Sequence, residues 1–257
     1  MLFAVLIFAV ALFAGCSSET QPAAEKQQPG TSAPAVYKRA EVVTSPADAR
    51  KLLEEGNKRF VEAKEATKDL SAARRQELVD KGQKPFAVVV TCSDSRVPAE
   101  TIFDQGLGDI FVVRTAGNVV DPITVGSVEY GAEHLAVPLV VVMGHEKCGA
   151  VKATVDGGEA AGSIGSIVSE IKPSLDKAKA AGVSGDALYE KTTDENVAAV
   201  IAELEKSPIL KHLQESGKLN IVGAKYHLSS GQVSFFPAAA PATAPPNAPA
   251  AAPAAGH

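Results

Sequence analysis

Four short apolar runs mark the strands that the sequence predicts. They cover residues 86–91, 110–113, 138–143 and 219–224, and each is rich in valine, isoleucine or leucine. Their hydrophobicity is continuous instead of alternating, which is typical of strands buried on both faces of a parallel sheet. A Ser-Ser-Gly turn after the fourth run predicts that residues 232–236 return as a fifth, antiparallel edge strand.

Helical patterns lie between these runs. Ser45 is a good helix cap, Pro46 suits a first helical position, and Asp48 favours the positive end of a helix dipole, so a helix begins here. Further helices are predicted over residues 72–81, 125–135, 164–181 and 195–215. Strands that alternate with helices indicate an α/β fold with a central four-stranded, mainly parallel sheet flanked by helices.

The beginning of the chain differs from this folded part. Residues 2–14 are thirteen apolar residues in a row, too few for a membrane span but typical of a signal-peptide core. The two small residues before Cys16 resemble a bacterial lipobox, in which the cysteine becomes the lipidated first residue, although Phe13 stands where Leu is usual. We therefore expect residues 1–16 to be a signal peptide with a lipobox-like cysteine. A simple cleaved signal and a buried N-terminal helix are the alternatives.

Two further segments have a biased composition. Residues 17–44 are rich in Ser, Gln, Pro, Ala and Thr, which is typical of a flexible linker. Residues 237–257 contain 11 Ala and 6 Pro, a composition that cannot bury a core and predicts a disordered tail. Residues 45–236 remain as one folded domain, which is long enough for a sizeable core.

The overall composition excludes several classes of protein. The chain has 257 residues, with 25 Lys and Arg against 30 Asp and Glu, and its net charge of −5 comes without a basic block. This argues against a nucleic-acid-binding protein. Three cysteines are too few for a disulfide-rich scaffold. No apolar run reaches the roughly 20 residues of a spanning helix, so we expect membrane association through a lipid anchor at Cys16.

Chemically active side chains follow two of the predicted strands directly. Cys92 opens the segment CSDSR after the first strand, and His145 and Cys148 lie in GHEKCG after the third. Because ligands bind at the carboxyl ends of strands in an open parallel sheet, we expect these three side chains to converge. Two thiolates and one imidazole are good ligands for Zn²⁺, and three protein ligands leave a fourth position for water, as in catalytic zinc sites. One zinc ion per subunit is therefore expected.

An acidic and a basic residue lie beside the first of these ligands. Asp94 and Arg96 are two positions apart, and a guanidinium can hold a carboxylate through two parallel hydrogen bonds. We expect Arg96 to keep Asp94 ionised and oriented to accept a proton from bound water. Release by Arg96 would let Asp94 swing onto the zinc and block it.

The motifs CSDSR and HEKCG, with GDIFVVRTAGN and GSVEYGAEHL between them, resemble the β-class carbonic anhydrases over most of the predicted domain. The resemblance implies a zinc enzyme that hydrates CO₂ reversibly to bicarbonate and a proton. It makes Cys92, His145 and Cys148 the zinc ligands, and Asp94 with Arg96 the catalytic pair.

Two further residues match positions of the plant-like branch of that family. Gln83 matches a substrate-orienting glutamine, and Tyr130 matches an active-site tyrosine. The resemblance also implies a homodimer or a higher homo-oligomer, in which N-terminal helices embrace the neighbouring subunit. The leader and the Ala/Pro tail lie outside the common core of the family.

Two other functions fit the same residues. Hydrolysis of a CO₂ analogue such as COS or CS₂ would use the same scaffold, and a non-catalytic, zinc-binding surface lipoprotein would use the ligands alone. The carboxylate–guanidinium pair argues against zinc storage, which needs no oriented carboxylate. The leader predicts export to the bacterial cell envelope, where oxidising conditions would favour a disulfide between Cys92 and Cys148 unless metal is bound first.

Overall fold

The computed structural model describes residues 36, 37, 39 and 42–237 of the chain. The predicted signal peptide with Cys16, most of the predicted linker and nearly all of the Ala/Pro tail lie outside the described residues. Within the described part, no helix is both long enough and apolar enough to cross a membrane.

Five strands form one sheet in the described part. They are β1 (Ala87–Cys92), β2 (Ile110–Thr115), β3 (Leu139–His145), β4 (Asn220–Tyr226) and β5 (Val233–Phe235). The spatial order is β2-β1-β3-β4-β5, the neighbouring strands among β1 to β4 run parallel, and β5 pairs antiparallel with β4. This confirms the predicted α/β fold with four parallel strands and an antiparallel edge strand.

Helices cover both faces of this sheet. They are α1 (Pro46–Val61), α2 (Ala72–Lys81), α3 (Ala99–Ile102), α4 (Pro122–Glu129), α5 (Gly149–Asp156), α6 (Ile164–Ala180), α7 (Asp186–Leu204) and α8 (Pro208–Glu215). A 3₁₀ turn (Ala116–Asn118) follows β2, and a π-helical turn (Tyr130–His134) continues α4. The hydroxyl of Ser45 caps α1, as the sequence predicts, whereas the sequence pattern does not reveal α3 or α5.

The prediction of one helix over residues 195–215 is wrong, because this region contains the end of α7 and all of α8. The hydroxyl of Ser207 accepts a hydrogen bond from the amide of Leu210 and caps α8. Pro208 has no N–H to continue a helical hydrogen-bond ladder, so α7 ends at Leu204 and a new helix begins.

The core lies on both faces of the sheet, and every residue of β1 and β3 is buried. Alternate side chains serve opposite layers, as the pleat of a strand requires. Val89 and Val141 belong to an apolar cluster with residues of α1 and α3, while Val88 and Val140 belong to a cluster with residues of α4 and α7. Burial on both faces explains why these strands are apolar without interruption.

The register of the central strands brings two chemically active segments to one edge. Thr91 of β1 lies opposite Met143 of β3, so both strands reach their carboxyl ends at nearly the same level. β1 ends at Cys92 and β3 ends at His145. The segments that follow these strands therefore start side by side.

Candidate metal centre

Three metal-ligating side chains meet at the carboxyl edge of the sheet. Cys92 is the last residue of β1, His145 is the last residue of β3, and Cys148 directly precedes α5. Their ligand atoms all lie within 4.8 Å of one another, and none of the three residues is more than 5% exposed. The structure thus brings together three residues that the sequence places in two distant segments.

The backbone around the second segment allows this close approach. A Cβ on Gly144 would lie 2.9 Å from methyl carbons of Thr193 and Val197 on α7, so a larger residue would push β3 away from that helix. The chain then turns through Lys147, whose φ of 51° lies in the left-handed region. This turn directs Cys148 back toward the sheet edge.

Hydrogen bonding orients the imidazole of His145. Its Nδ1 lies 2.8 Å from the carbonyl oxygen of Glu146, and because a carbonyl can only accept, Nδ1 carries the proton and donates it. Nε2 is then the nitrogen with a free lone pair; it is buried and has no hydrogen-bond partner among the described residues. A buried lone pair beside two sulfurs fits a metal ligand.

Cys92 and Cys148 are both free, buried thiols. The hydrogen bond with Cys148 lowers the pKa of Cys92, and the amides of Asp94 and Gly117, 3.4 and 3.2 Å from its sulfur, act in the same direction. The hydrogen bond with Cys92 raises the pKa of Cys148, and burial adds to this. Because a thiol binds a divalent cation as a thiolate, the lowered pKa of Cys92 favours metal binding. The nitrogen-and-sulfur ligand set fits Zn²⁺.

A carboxylate lies beside the three ligands. The Nε and Nη2 of Arg96 donate to Oδ1 and Oδ2 of Asp94 at 2.9 and 2.7 Å, and the amide of Arg96 donates to Oδ1 at 2.9 Å. These hydrogen bonds hold the pKa of Asp94 well below its usual range. Oδ2 lies 4.0 Å from Nε2 of His145. An ionised, oriented hydrogen-bond acceptor thus lies next to the metal-ligand group.

Arg114 is a further residue of this site, and sequence reasoning did not single it out. From β2, its Nε donates to the carbonyl oxygen of Cys92 at 3.0 Å, and its Nη2 donates to the carbonyl oxygen of Asp94 at 2.6 Å. Arg114 therefore holds the backbone that carries a ligand and the carboxylate. The sequence contains one sign of this role, because Arg114 is a charged residue near the end of the otherwise apolar strand β2.

A second missed contact joins the ligand loop to the β4–β5 hairpin. The carboxylate of Glu146 pairs with Nδ1 of His227 at 2.7 Å and accepts from the amide of Leu228 at 3.0 Å. The hydrogen bond with His227 lowers the pKa of Glu146. Because Glu146 follows His145, this pairing anchors the backbone between the ligands. Nothing in the local sequence links residues so far apart along the chain.

Comparison with known proteins agrees with this geometry. The sequence profile described as carbonic anhydrase matches residues 87–233. The carbonic anhydrase of Mycolicibacterium smegmatis is 43% identical over 195 residues, which span 74% of this chain and 93% of that protein. Carbonic anhydrase 2 of Mycobacterium tuberculosis is 43% identical over 194 residues, spanning 74% and 92%. The chain belongs to the β-class carbonic anhydrase family.

Solved structures of β-carbonic anhydrases share the fold. A Coccomyxa β-carbonic anhydrase in complex with acetazolamide is 30% identical, has a TM-score of 0.58, and the match covers 74% of this chain and 86% of that one. One of two tetrameric β-carbonic anhydrases from Sordaria macrospora is 26% identical, with a TM-score of 0.59 and coverage of 64% and 87%. The sheet and the flanking helices are therefore those of the family.

Two residues that the family resemblance placed in the substrate site lie elsewhere in the single chain. Gln83 is exposed and precedes β1, a strand of six residues that ends at Cys92, so the two residues lie toward opposite ends of this strand. Tyr130 is 46% exposed, and its ring centroid lies 6.3 Å from that of Phe111, near the beginning of β2. Both residues thus lie toward the amino ends of the strands, away from the metal-ligand group of their own chain.

Proposed function

We propose that this β-carbonic anhydrase catalyses the reversible hydration of CO₂ to bicarbonate and a proton, with one Zn²⁺ per subunit. Cys92, His145 and Cys148 would hold the metal. The observation that carries the proposal is the buried group of two thiols and one imidazole beside the ionised carboxylate of Asp94. The naming of the 43% identical relatives as carbonic anhydrases supports it.

Zn²⁺, when bound, supplies Lewis acidity that makes a water molecule nucleophilic near neutral pH. Asp94 would accept a hydrogen bond from the attacking water and so orient it toward CO₂. Arg96 holds both carboxylate oxygens of Asp94 and fixes the direction of this hydrogen bond. In the overall reaction, one CO₂ and one water would give bicarbonate and one proton.

The low pKa of Asp94 defines its role in this reaction. A carboxylate that Arg96 keeps ionised does not retain a proton near neutral pH, so Asp94 orients the water instead of storing its proton. The released proton passes to buffer. Two rival functions, hydrolysis of COS or CS₂ and zinc storage, have no specific observation in their favour, and the Asp94–Arg96 pair has no purpose in zinc storage.

A stopped-flow assay with a pH indicator tests the proposed activity. Zinc-loaded, full-length chain mixed with CO₂ should acidify the buffer several orders of magnitude faster than buffer alone, as is usual for enzymes. The same preparation is assayed with COS, with sulfide release as the readout. Absence of faster acidification from mildly acidic to mildly alkaline pH would contradict the proposal, and a faster reaction with COS would favour that rival.

We also propose that the chain assembles as a homodimer or a higher homo-oligomer. β2 is an edge strand of the described sheet, and its Phe111, Val112 and Val113 are only partly buried. An apolar edge strand with unpaired backbone groups is a template for association. Ile123 on the neighbouring helix α4 is 81% exposed. The Sordaria macrospora enzymes are described as tetrameric, which supports the same conclusion.

In such an oligomer, Gln83 and Tyr130 of one subunit would contribute to the metal centre of another subunit. Both match substrate-site positions of the plant-like branch, to which we propose the chain belongs, yet neither lies beside the metal ligands of its own chain. We therefore propose that each contributes to the metal centre of the neighbouring subunit. One subunit would supply the ligands and the other the substrate-orienting amide.

Replacing Gln83 by Ala should lower CO₂ hydration about 10-fold, the effect of one lost hydrogen bond, without loss of zinc. Coexpression of Gln83→Ala subunits with Cys148→Ser subunits distinguishes a Gln83 that acts on the metal centre of its own subunit from one that acts on the centre of the neighbouring subunit. In a mixed dimer, one site combines intact ligands with an intact Gln83, so about half of the wild-type rate should return. Mixed dimers, isolated by two affinity tags, that stay at the rate of Gln83→Ala would contradict a contribution across subunits.

We further propose that residues 1–16 direct export and that Cys16 carries a lipid, which anchors the protein to the cell envelope. Residues 17–44 then form a tether between this anchor and the domain of residues 45–236. Residues 237–257 form a tail outside that domain. The apolar leader, the small residues before Cys16 and the Ala/Pro-rich tail support this organisation. Mass spectrometry of the mature amino-terminal peptide tests it. An intact leader or an unmodified Cys16 in cellular material would contradict it.

A further inference from the structure

The sulfur of Cys92 accepts a hydrogen bond from a turn that is remote in sequence. The amide of Gly117 lies 3.2 Å from Sγ, and this donor comes from the 3₁₀ turn that follows β2. An amide hydrogen bond aimed at a thiolate sets the direction of its lone pairs and therefore the direction in which it binds a metal. The position of this turn thus bears on the ligand geometry.

A buried asparagine holds the same turn from the other side. Asn196 lies on α7, is 2% exposed, and donates from Nδ2 to the carbonyl oxygen of Gly117 at 2.8 Å. Gly117 is therefore bonded through its N–H to the sulfur and through its C=O to the asparagine. The turn lies between α7 and the metal-ligating thiol.

Packing leaves this turn little freedom to move. Gly117 has a φ of 68°, a left-handed conformation that favours glycine. A Cβ on Gly117 would lie 2.9 Å from Cβ of Ala150 on α5 and 2.8 Å from Cδ1 of Ile171 on α6. Because α5 begins directly after Cys148, the same packing contact joins the turn to the second sulfur ligand.

We propose that Asn196 is a positioning residue of the metal centre, which fixes the Gly117 amide against the sulfur of Cys92 and thereby sets the affinity and geometry of the zinc site. Asn196 does not contact the ligands itself and acts through the turn. The inference rests on the proposed zinc site, but its test measures metal binding separately from CO₂ hydration.

The experiment compares full-length wild type with Asn196→Leu, which has similar size and no donor. Zinc affinity is measured by competition with a chromophoric chelator and should fall about 10-fold, the lower end for partners that orient metal ligands. The Co²⁺-substituted protein reports thiolate geometry directly, and its thiolate-to-cobalt charge-transfer band should shift. If Asn196→Leu does not fold, Asn196→Ala removes the same donor and is measured in its place.

Ser207→Ala is the matched control. Ser207 is also buried, caps α8 and donates to Glu129 at 2.6 Å, so its loss lowers thermal stability away from the metal centre. This variant should keep the wild-type zinc affinity and cobalt spectrum. Wild-type values for both readouts in the Asn196 variant, or an equal loss of zinc affinity in Ser207→Ala, would overturn the inference. Wild-type protein that binds zinc but does not hydrate CO₂ would instead contradict only the proposed function.

Discussion

Replacing Cys148 by Ser is expected to remove zinc and CO₂ hydration together. Serine has nearly the same shape, but its hydroxyl does not ionise near neutral pH and is a poor zinc ligand. Four-ligand zinc sites bind with about 10–16 kcal/mol, so the loss of one ligand should weaken zinc binding by about 3 kcal/mol, or ~100-fold. His145 and Cys92 alone should not retain the metal through purification.

Elemental analysis of the purified variant, together with the CO₂ assay, measures this effect. Cys16→Ser is the matched control, because it makes the same chemical change in the predicted leader, outside the described residues. The control should keep zinc and full activity. A Cys148→Ser variant that is fully metallated and active would show that Cys148 is not a ligand.

Replacing Asp94 by Asn should leave zinc in place and lower turnover about 100-fold, the effect expected when a reacting group loses its positioning. The amide has one acceptor oxygen instead of two, and its NH₂ group cannot accept from Arg96. One of the two parallel hydrogen bonds from Arg96 would therefore be lost, and with it the fixed direction of the remaining acceptor. The attacking water would lose its fixed orientation.

Zinc content and turnover of Asp94→Asn are measured side by side. Asp176→Asn removes an exposed carboxylate that pairs with Lys172 on α6, and this control should not change either quantity. The pKa of Asp94 lies well below its usual range, so wild-type activity should not fall near neutral pH through protonation of Asp94. An unchanged rate in Asp94→Asn would remove this residue from the mechanism.

Local patterns in the sequence predicted the strands and the start of the first helix. Continuous apolar runs identified β1 to β4, because strands buried on both faces have no reason to alternate. The same patterns failed between α7 and α8, where apolar periodicity continues across Ser207 and Pro208 although the backbone does not. The short helices α3 and α5 were missed because an element of one or two turns leaves little periodicity to detect.

The sequence by itself determined which side chains have metal-binding chemistry and at which strand ends they lie. Cys92, His145 and Cys148 follow buried strands, and parallel strands end at a common edge, so their meeting follows from the fold class. Arg96 could be paired with Asp94 because the two residues are near neighbours along the chain.

Only the tertiary structure decided what surrounds those ligands. The contacts of Arg114, Asn196 and His227 depend on strand register and helix packing between segments that are far apart in sequence. The structure likewise placed Gln83 and Tyr130 away from the ligands of their own chain, because they lie toward the amino ends of the strands and the ligands lie at the carboxyl ends. Side-chain chemistry is a property of each residue, whereas hydrogen bonds of about 3 Å exist only where the packed backbone brings donor and acceptor together.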